Sequence, residues 1–98
     1  MDIKELFNLA QNMQSKIKKE MENAEIEAQS GGGMVKIKMN GKKELLSLVI
    51  DPEVLKDNDI EMLQDLIIAA VNQGARKVDQ LLADQLSSLT GGLNLPGM

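Results

Sequence analysis

One broad stripe dominates the C-terminal third: Ile60, Leu63, Leu66, Ile67, Ala70, Val71, Gly74, Val78, Leu81, Leu82, Gln85 and Leu89 recur at helical spacing. The spacing predicts a helix of about 31 residues, roughly 45 Å long at 1.5 Å per residue. A compact domain of this length has a radius of gyration near ~13 Å and a diameter of roughly 30–35 Å, so the helix must overhang its own core. The overhang carries Leu81, Leu82, Leu86 and Leu89. Four leucines left in water would be an aggregation hazard, so the overhang is expected to pack on the first helix or on a second copy of the chain. A helix that frays near residue 84 is the alternative. Gly74 in mid-helix costs about 1 kcal/mol relative to Ala and fits a close backbone crossing. Gly74, Val78, Leu81 and Leu82 are therefore expected at a homodimer interface. Gly91-Gly92 ends the pattern, which makes residues 1–90 one domain and residues 91–98 a flexible C-terminal tail.

The rest of the chain divides by period. Asp2 followed by Glu5 is a capping-box pattern ahead of Ile3, Leu6, Phe7, Ala10, Met13, Ile17 and Met21, which predicts a first helix reaching about Asn23. From Ala24 to Gln29 the period drops to two, and a second alternation runs through Val35, Ile37 and Met39. A two-residue turn at Gly31-Gly32 would place Ile26 opposite Ile37, Ala28 opposite Val35, and Glu27 and Glu25 opposite Lys36 and Lys38. Asn40-Gly41 predicts a second hairpin into a strand from Glu44 to Asp51. There Leu46, Leu48 and Ile50 are expected on the inner face and Leu45 and Val49 on the other. An edge strand apolar on both faces needs cover from outside its own chain, so Leu45 and Val49 join the expected interface. Pro52 closes the strand, Glu53 to Lys56 form a short turn, and Asn58 with Glu61 reads as a second capping box. The expected architecture is α+β in the order α-β-β-β-α: a helix, a three-stranded antiparallel meander and a long C-terminal helix, two-layered and dimeric.

Composition removes whole classes of chemistry. The 98 residues include no Cys and no His, so disulfides, thiolate and imidazole metal sites, Cys nucleophiles and the commonest general base are all absent. No enzyme activity, cofactor, metal or small-molecule substrate is expected. Met1-Asp2-Ile3-Lys4 does not open a signal peptide, and no apolar run approaches the ~18 residues of a membrane span, so no membrane partner is expected and a cytoplasmic protein is. The net charge of −4 argues against nucleic acid, but its distribution does not. Residues 1–43 carry eight Lys against six acids, and residues 44–98 carry three bases against nine acids.

The chain resembles the YbaB/EbfC family of bacterial nucleoid-associated DNA-binding proteins. The resemblance spans nearly its whole length. It rests on the order and spacing of Gln11-Asn12-Met13-Gln14, Gly33-Met34-Val35-Lys36-Ile37, Asn40-Gly41, Val49-Ile50-Asp51-Pro52 with Leu55, Leu63-Gln64-Asp65-Leu66-Ile67, Ala70-Val71-Asn72 and Ala75-Arg76-Lys77. It implies a tweezer-like homodimer in the nucleoid that binds double-stranded DNA and serves nucleoid organisation or gene regulation. The competing reading is a protein–protein adaptor whose long helices grip another protein.

Candidate contacts follow from charge. Lys16, Lys18 and Lys19, with Lys4 nearer the start, suit phosphate contacts from a helix flank, or form a solvated face beside Glu20 and Glu22. Arg76 and Lys77 match a basic pair of the resembled family, although Lys77 could equally pair with acids on its own helix. Lys42 and Lys43 extend from the Asn-Gly turn, where they either reach a DNA backbone or only solubilise the loop. The triglycine leads into a strand and lacks the Lys-Ser or Lys-Thr of a phosphate loop, so it reads as a turn. Asp57, Asp59 and Glu61 lack the rest of a calcium loop and read as helix capping, while Asp51 and Glu53 read as strand-end and turn residues.

Overall fold

The computed structural model describes residues 2–92, with side chains to residue 88. Asp2 starts the first helix: its Oδ1 accepts from the Glu5 N–H at 2.8 Å, and α1 runs Ile3–Asn23. Three antiparallel strands follow, β1 (Ile26–Ser30), β2 (Val35–Met39) and β3 (Leu45–Ile50), in the spatial order β1-β2-β3. The last element is α2, Ile60–Gly92. The expected α+β order is what the chain adopts. Both glycines expected to end α2 lie inside it, and the part of the predicted tail from residue 93 onward lies outside the described residues.

The first hairpin is longer than its sequence suggests. Gly31, Gly32 and Gly33 all take positive φ (61°, 66° and 93°), and four residues, Gly31 to Met34, join Ser30 to its partner Val35. Ile26 therefore lies opposite Met39 and Ala28 opposite Ile37, two residues from the expected register. A slide of two keeps every side chain on its face, because side chains alternate with a period of two. Glu27 accordingly meets Lys38 rather than Lys36, with 3.9 Å between the charged atoms.

The second hairpin also departs from a two-residue turn. Asn40 organises it: Oδ1 accepts from the N–H groups of Lys42 and Glu44 at 2.9 and 3.0 Å, and Nδ2 donates to Glu44 Oε1 at 2.9 Å. Lys43, not Gly41, takes the left-handed conformation, at φ 63°. Between the pairs Lys38–Ser47 and Met39–Leu45 the register shifts, leaving Leu46 as the extra residue of a bulge. The expected alternation of β3 is corrected accordingly: Leu45 sits opposite the buried Met39 and does not share a simple alternation with Val49.

The start of α2 is one residue later than the expected capping box. Asp59 Oδ1 accepts from the Met62 N–H at 2.9 Å, whereas Asn58 takes φ 53° and lies outside the helix. Just before it, Asp51 Oδ1 accepts from the Glu53 N–H at 3.0 Å and starts a short 3-10 turn, Pro52–Leu55, that buries Val54.

The core lies where α2 crosses β1 and β2. Val35, Ile37 and Met39 of β2 and Ala28 of β1 are buried with Ala70 and Val78 of α2 and with Met21 of α1. Each of the larger side chains contributes about 1.5–3 kcal/mol by leaving water. Gly74 allows the close approach: a Cβ there would lie 2.8 Å from Ile37 Cδ1. Much of the remaining apolar surface is uncovered. Leu45, Leu46, Leu48 and Val49 of β3 are exposed, as are Ile3, Leu6, Phe7 and Leu9 of α1. Only the C-terminal end of α1, through Met21 and the half-buried Ile17, joins the core. The chain is correspondingly drawn out, 66 × 27 × 15 Å, with a radius of gyration of 19.0 Å.

Candidate nucleic-acid interface

The four candidate lysines of α1 share one side of the helix. At 3.6 residues per turn, Lys4, Lys16, Lys18 and Lys19 fall within an arc of roughly 160° centred opposite the stripe of Ile3, Leu6, Ala10, Met13 and Ile17. The arrangement follows from amphipathicity: whatever covers the apolar stripe, the lysines stay in solvent. All four are exposed, and none makes an ion pair or side-chain hydrogen bond among the described residues. From Lys4 to Lys19 the helix rises roughly 22 Å, and a duplex strand presents a phosphate every ~3.4 Å along its axis. Long, flexible ammonium side chains on such a row can neutralise several phosphates without reading bases.

The remaining candidates divide. Lys42 pairs with Glu22 of α1 at 3.2 Å and Lys43 with Asp79 of α2 at 2.9 Å, so both turn lysines hold the turn to the two helices. Lys77 Nζ donates to the Glu27 carbonyl at 2.8 Å, while Arg76 is exposed and has no ion pair among the described residues. Of the residues expected at a chain–chain interface, Gly74 and Val78 are buried against the chain's own sheet and Leu81 is half-buried on the same core. Leu45, Val49 and Leu82 are exposed.

The structure adds two lysines to this inventory. Lys36 and Lys38 project from the sheet face opposite α2 and, with Lys77, Gln29, Ser47 and Val49, line a depression of about 490 Å³. Glu27 is the acid on its rim, and Lys38 is the lysine paired with it. In the sequence these lysines served only to support the register. Their clustering with Lys77 depends on α2 reaching round β1, for which a strand alternation carries no signal. Among the described residues no cluster of three or more His, Cys, Asp or Glu side chains could hold a metal ion. No helix among them is long and apolar enough to cross a membrane.

The model of the YbaB/EbfC DNA-binding family matches residues 1–93. The chain belongs to that family. It is 50% identical to a nucleoid-associated protein of Koribacter versatilis over 98% of this chain and 95% of the relative. It is also 50% identical to a nucleoid-associated protein of Clostridium novyi, covering all of this chain and 89% of the relative. Among solved structures it is similar to an uncharacterized protein from Helicobacter pylori, with a TM-score of 0.74 and 29% identity over 92% of this chain and 98% of that one. Membership gives the lysine row of α1 a context that a solvated helix face alone would lack.

Proposed function

We propose that this YbaB/EbfC protein is a homodimer that binds double-stranded DNA mainly through its phosphates and shape, in the bacterial nucleoid, and serves nucleoid organisation or gene regulation. The observation that carries the reading is the unpaired lysine row of α1 in a chain of a DNA-binding family. A net charge of −4 repels DNA at long range, so attraction has to come from a local face whose cations are left unpaired, as the four lysines of α1 are among the described residues. Arg76 adds a cation on α2, whereas Lys42 and Lys43 are already engaged within the chain.

The dimer is supported by exposed area. A compactly folded monomer of 10.7 kDa exposes about 5,500 Å² by general scaling, whereas this chain exposes 7381 Å², about 1,900 Å² more. The N-terminal half of α1, which packs on none of the buried core, is also too short to be a stable helix alone in water.

Fluorescence-anisotropy titration of long duplexes of two unrelated sequences tests the DNA reading. Phosphate and shape contacts predict binding to both at low salt with similar affinity. No binding to either would defeat the proposal.

A further inference from the structure

Within the chain, α1 is held at one end. Met21 is buried in the core and Ile17 packs against it, whereas Ile3, Leu6, Phe7 and Leu9 are exposed. Lys4 lies roughly 25 Å from Met21 along the helix axis at 1.5 Å per residue. Between the helix and β1 stand only Ala24, at φ −67° and ψ 141°, and Glu25. Each contributes two soft dihedrals, so the connection alone does not fix the direction of so long a rod. The turn between β2 and β3 does. The Gly41 N–H donates to the Met21 carbonyl at 2.7 Å, sharing that oxygen with the Ala24 N–H at 3.3 Å, and Lys42 Nζ meets Glu22 Oε1 at 3.2 Å. Lys43 ties the same turn to Asp79 of α2 at 2.9 Å. The turn is itself stiffened from within, because the buried Asn40 accepts from the N–H groups of Lys42 and Glu44. The joint has no slack: a Cβ on Gly41 would lie 2.2 Å from the Met21 carbonyl oxygen.

Resting on the DNA-binding reading above, we propose that this turn is a bracket that aims α1, and that Gly41 is a positioning residue for the lysine row, acting through Met21 and not on DNA. A rod fixed at one end magnifies an error at its joint. A swing of about 10° at Met21 moves Lys4 by roughly 4 Å, but moves Lys16, roughly 7 Å from the joint, by only about 1 Å. A displacement of ~4 Å equals the reach of an ion pair, so Lys4 leaves its phosphate, whereas the flexible stem of Lys16 takes up the smaller shift. Lys4 is therefore the lysine whose contact depends on the bracket. Exposed ion pairs hold weakly, which makes the close approach of Gly41 to the Met21 peptide the main stop.

The test reads how far Lys4→Gln flattens the salt slope of duplex binding in three backgrounds: wild type, Gly41→Ala and Gly32→Ala. Gly32→Ala strains the fold through its φ of 66° but meets nothing within 4 Å, so it leaves the joint alone. All proteins are compared at a temperature where circular dichroism shows them folded. The proposal predicts a flattening of about 0.9 for each engaged α1 in wild type and in Gly32→Ala, and none in Gly41→Ala. Substitutions more than about 7–10 Å apart ordinarily add, so a missing increment across roughly 25 Å is the signature of aiming, which destabilisation alone does not produce. Glu22→Lys loosens the same joint by setting two cations against each other, and serves if Gly41→Ala does not fold. There the Lys4 increment shrinks, although the added cation favours DNA, and Lys42→Glu beside it restores the pair and the increment. An increment equal to that of wild type in the loosened joint, or no increment in wild type, overturns the bracket and leaves DNA binding standing. A wild type that binds no duplex overturns both.

Discussion

Gly41→Ala is expected to destabilise the protein through space and not through backbone conformation. Gly41 is not among the positive-φ residues of the chain. A Cβ there would lie on the Met21 peptide, 2.6 Å from its carbonyl carbon and 2.7 Å from its Cα. Backbone atoms cannot rotate aside as a side-chain end can, so the turn must part from the end of α1. Overpacking of this kind costs about 1–3 kcal/mol. The separation also stretches the hydrogen bond from the Gly41 N–H to the Met21 carbonyl, 2.7 Å here and worth about 0.5–1.5 kcal/mol. The lower chain entropy of unfolded Ala returns about 0.4–1 kcal/mol. The balance is a loss of about 2–3 kcal/mol, which for a domain of this size lowers Tm by roughly 10–20 °C. Thermal melts followed by circular dichroism at one fixed protomer concentration measure it, since the stability of the proposed dimer depends on concentration. Gly32→Ala is the control: its Cβ meets nothing within 4 Å, so only the left-handed φ of 66° is penalised, by about 1–2 kcal/mol. A Gly41→Ala melt no lower than that of wild type would refute the reasoning.

Asn40→Ala removes the acceptor shared by the Lys42 and Glu44 N–H groups and should cost about 1–3 kcal/mol, read as a lower urea midpoint with unchanged slope. Gly74→Ala should stay within about 1 kcal/mol of wild type in the same assay. Its gain in helix propensity offsets contact with the movable ends of Ile37 and Met39, and a larger loss would show that those side chains cannot yield. Gln73→Ala with Lys77→Ala uncovers the β1 edge and should produce species larger than those of wild type in light scattering at tens of micromolar concentration.

Much of this fold was legible because its elements carry strong periods. The α1 stripe with its Asp2 cap, the alternation about Ile37 and the long pattern from Ile60 appear as predicted, whereas the alternation of β3 is broken at Leu46. Connections were less legible. Three consecutive glycines permit turns of several lengths, so the two-residue slide at Gly31 to Met34 could not be read, although its faces could. The bulge at Leu46 and the left-handed Lys43 follow from Asn40 bonding to Glu44, a local network that the Asn-Gly signal does not specify. Asn58 and Asp59 are both capping residues, and sequence does not choose between neighbours of equal propensity. Within the candidate site, the solvent side of α1 was readable because amphipathicity dictates it. The engagement of Lys42 with Glu22, of Lys43 with Asp79 and of Lys77 with the β1 edge depends on tertiary approach, and so does the depression lined by Lys36 and Lys38.

In the proposed function an acidic chain grips DNA phosphates through the lysine row of α1. The salt dependence of duplex binding, measured for wild type and for Lys16→Gln/Lys18→Gln/Lys19→Gln, tests it most directly. Each phosphate contact on B-form DNA contributes about 0.9 to the slope of log K against log salt, so losing three contacts should flatten the slope by roughly 2.7, and by more if both copies of α1 engage. A triple variant that binds with the wild-type slope would contradict the claim.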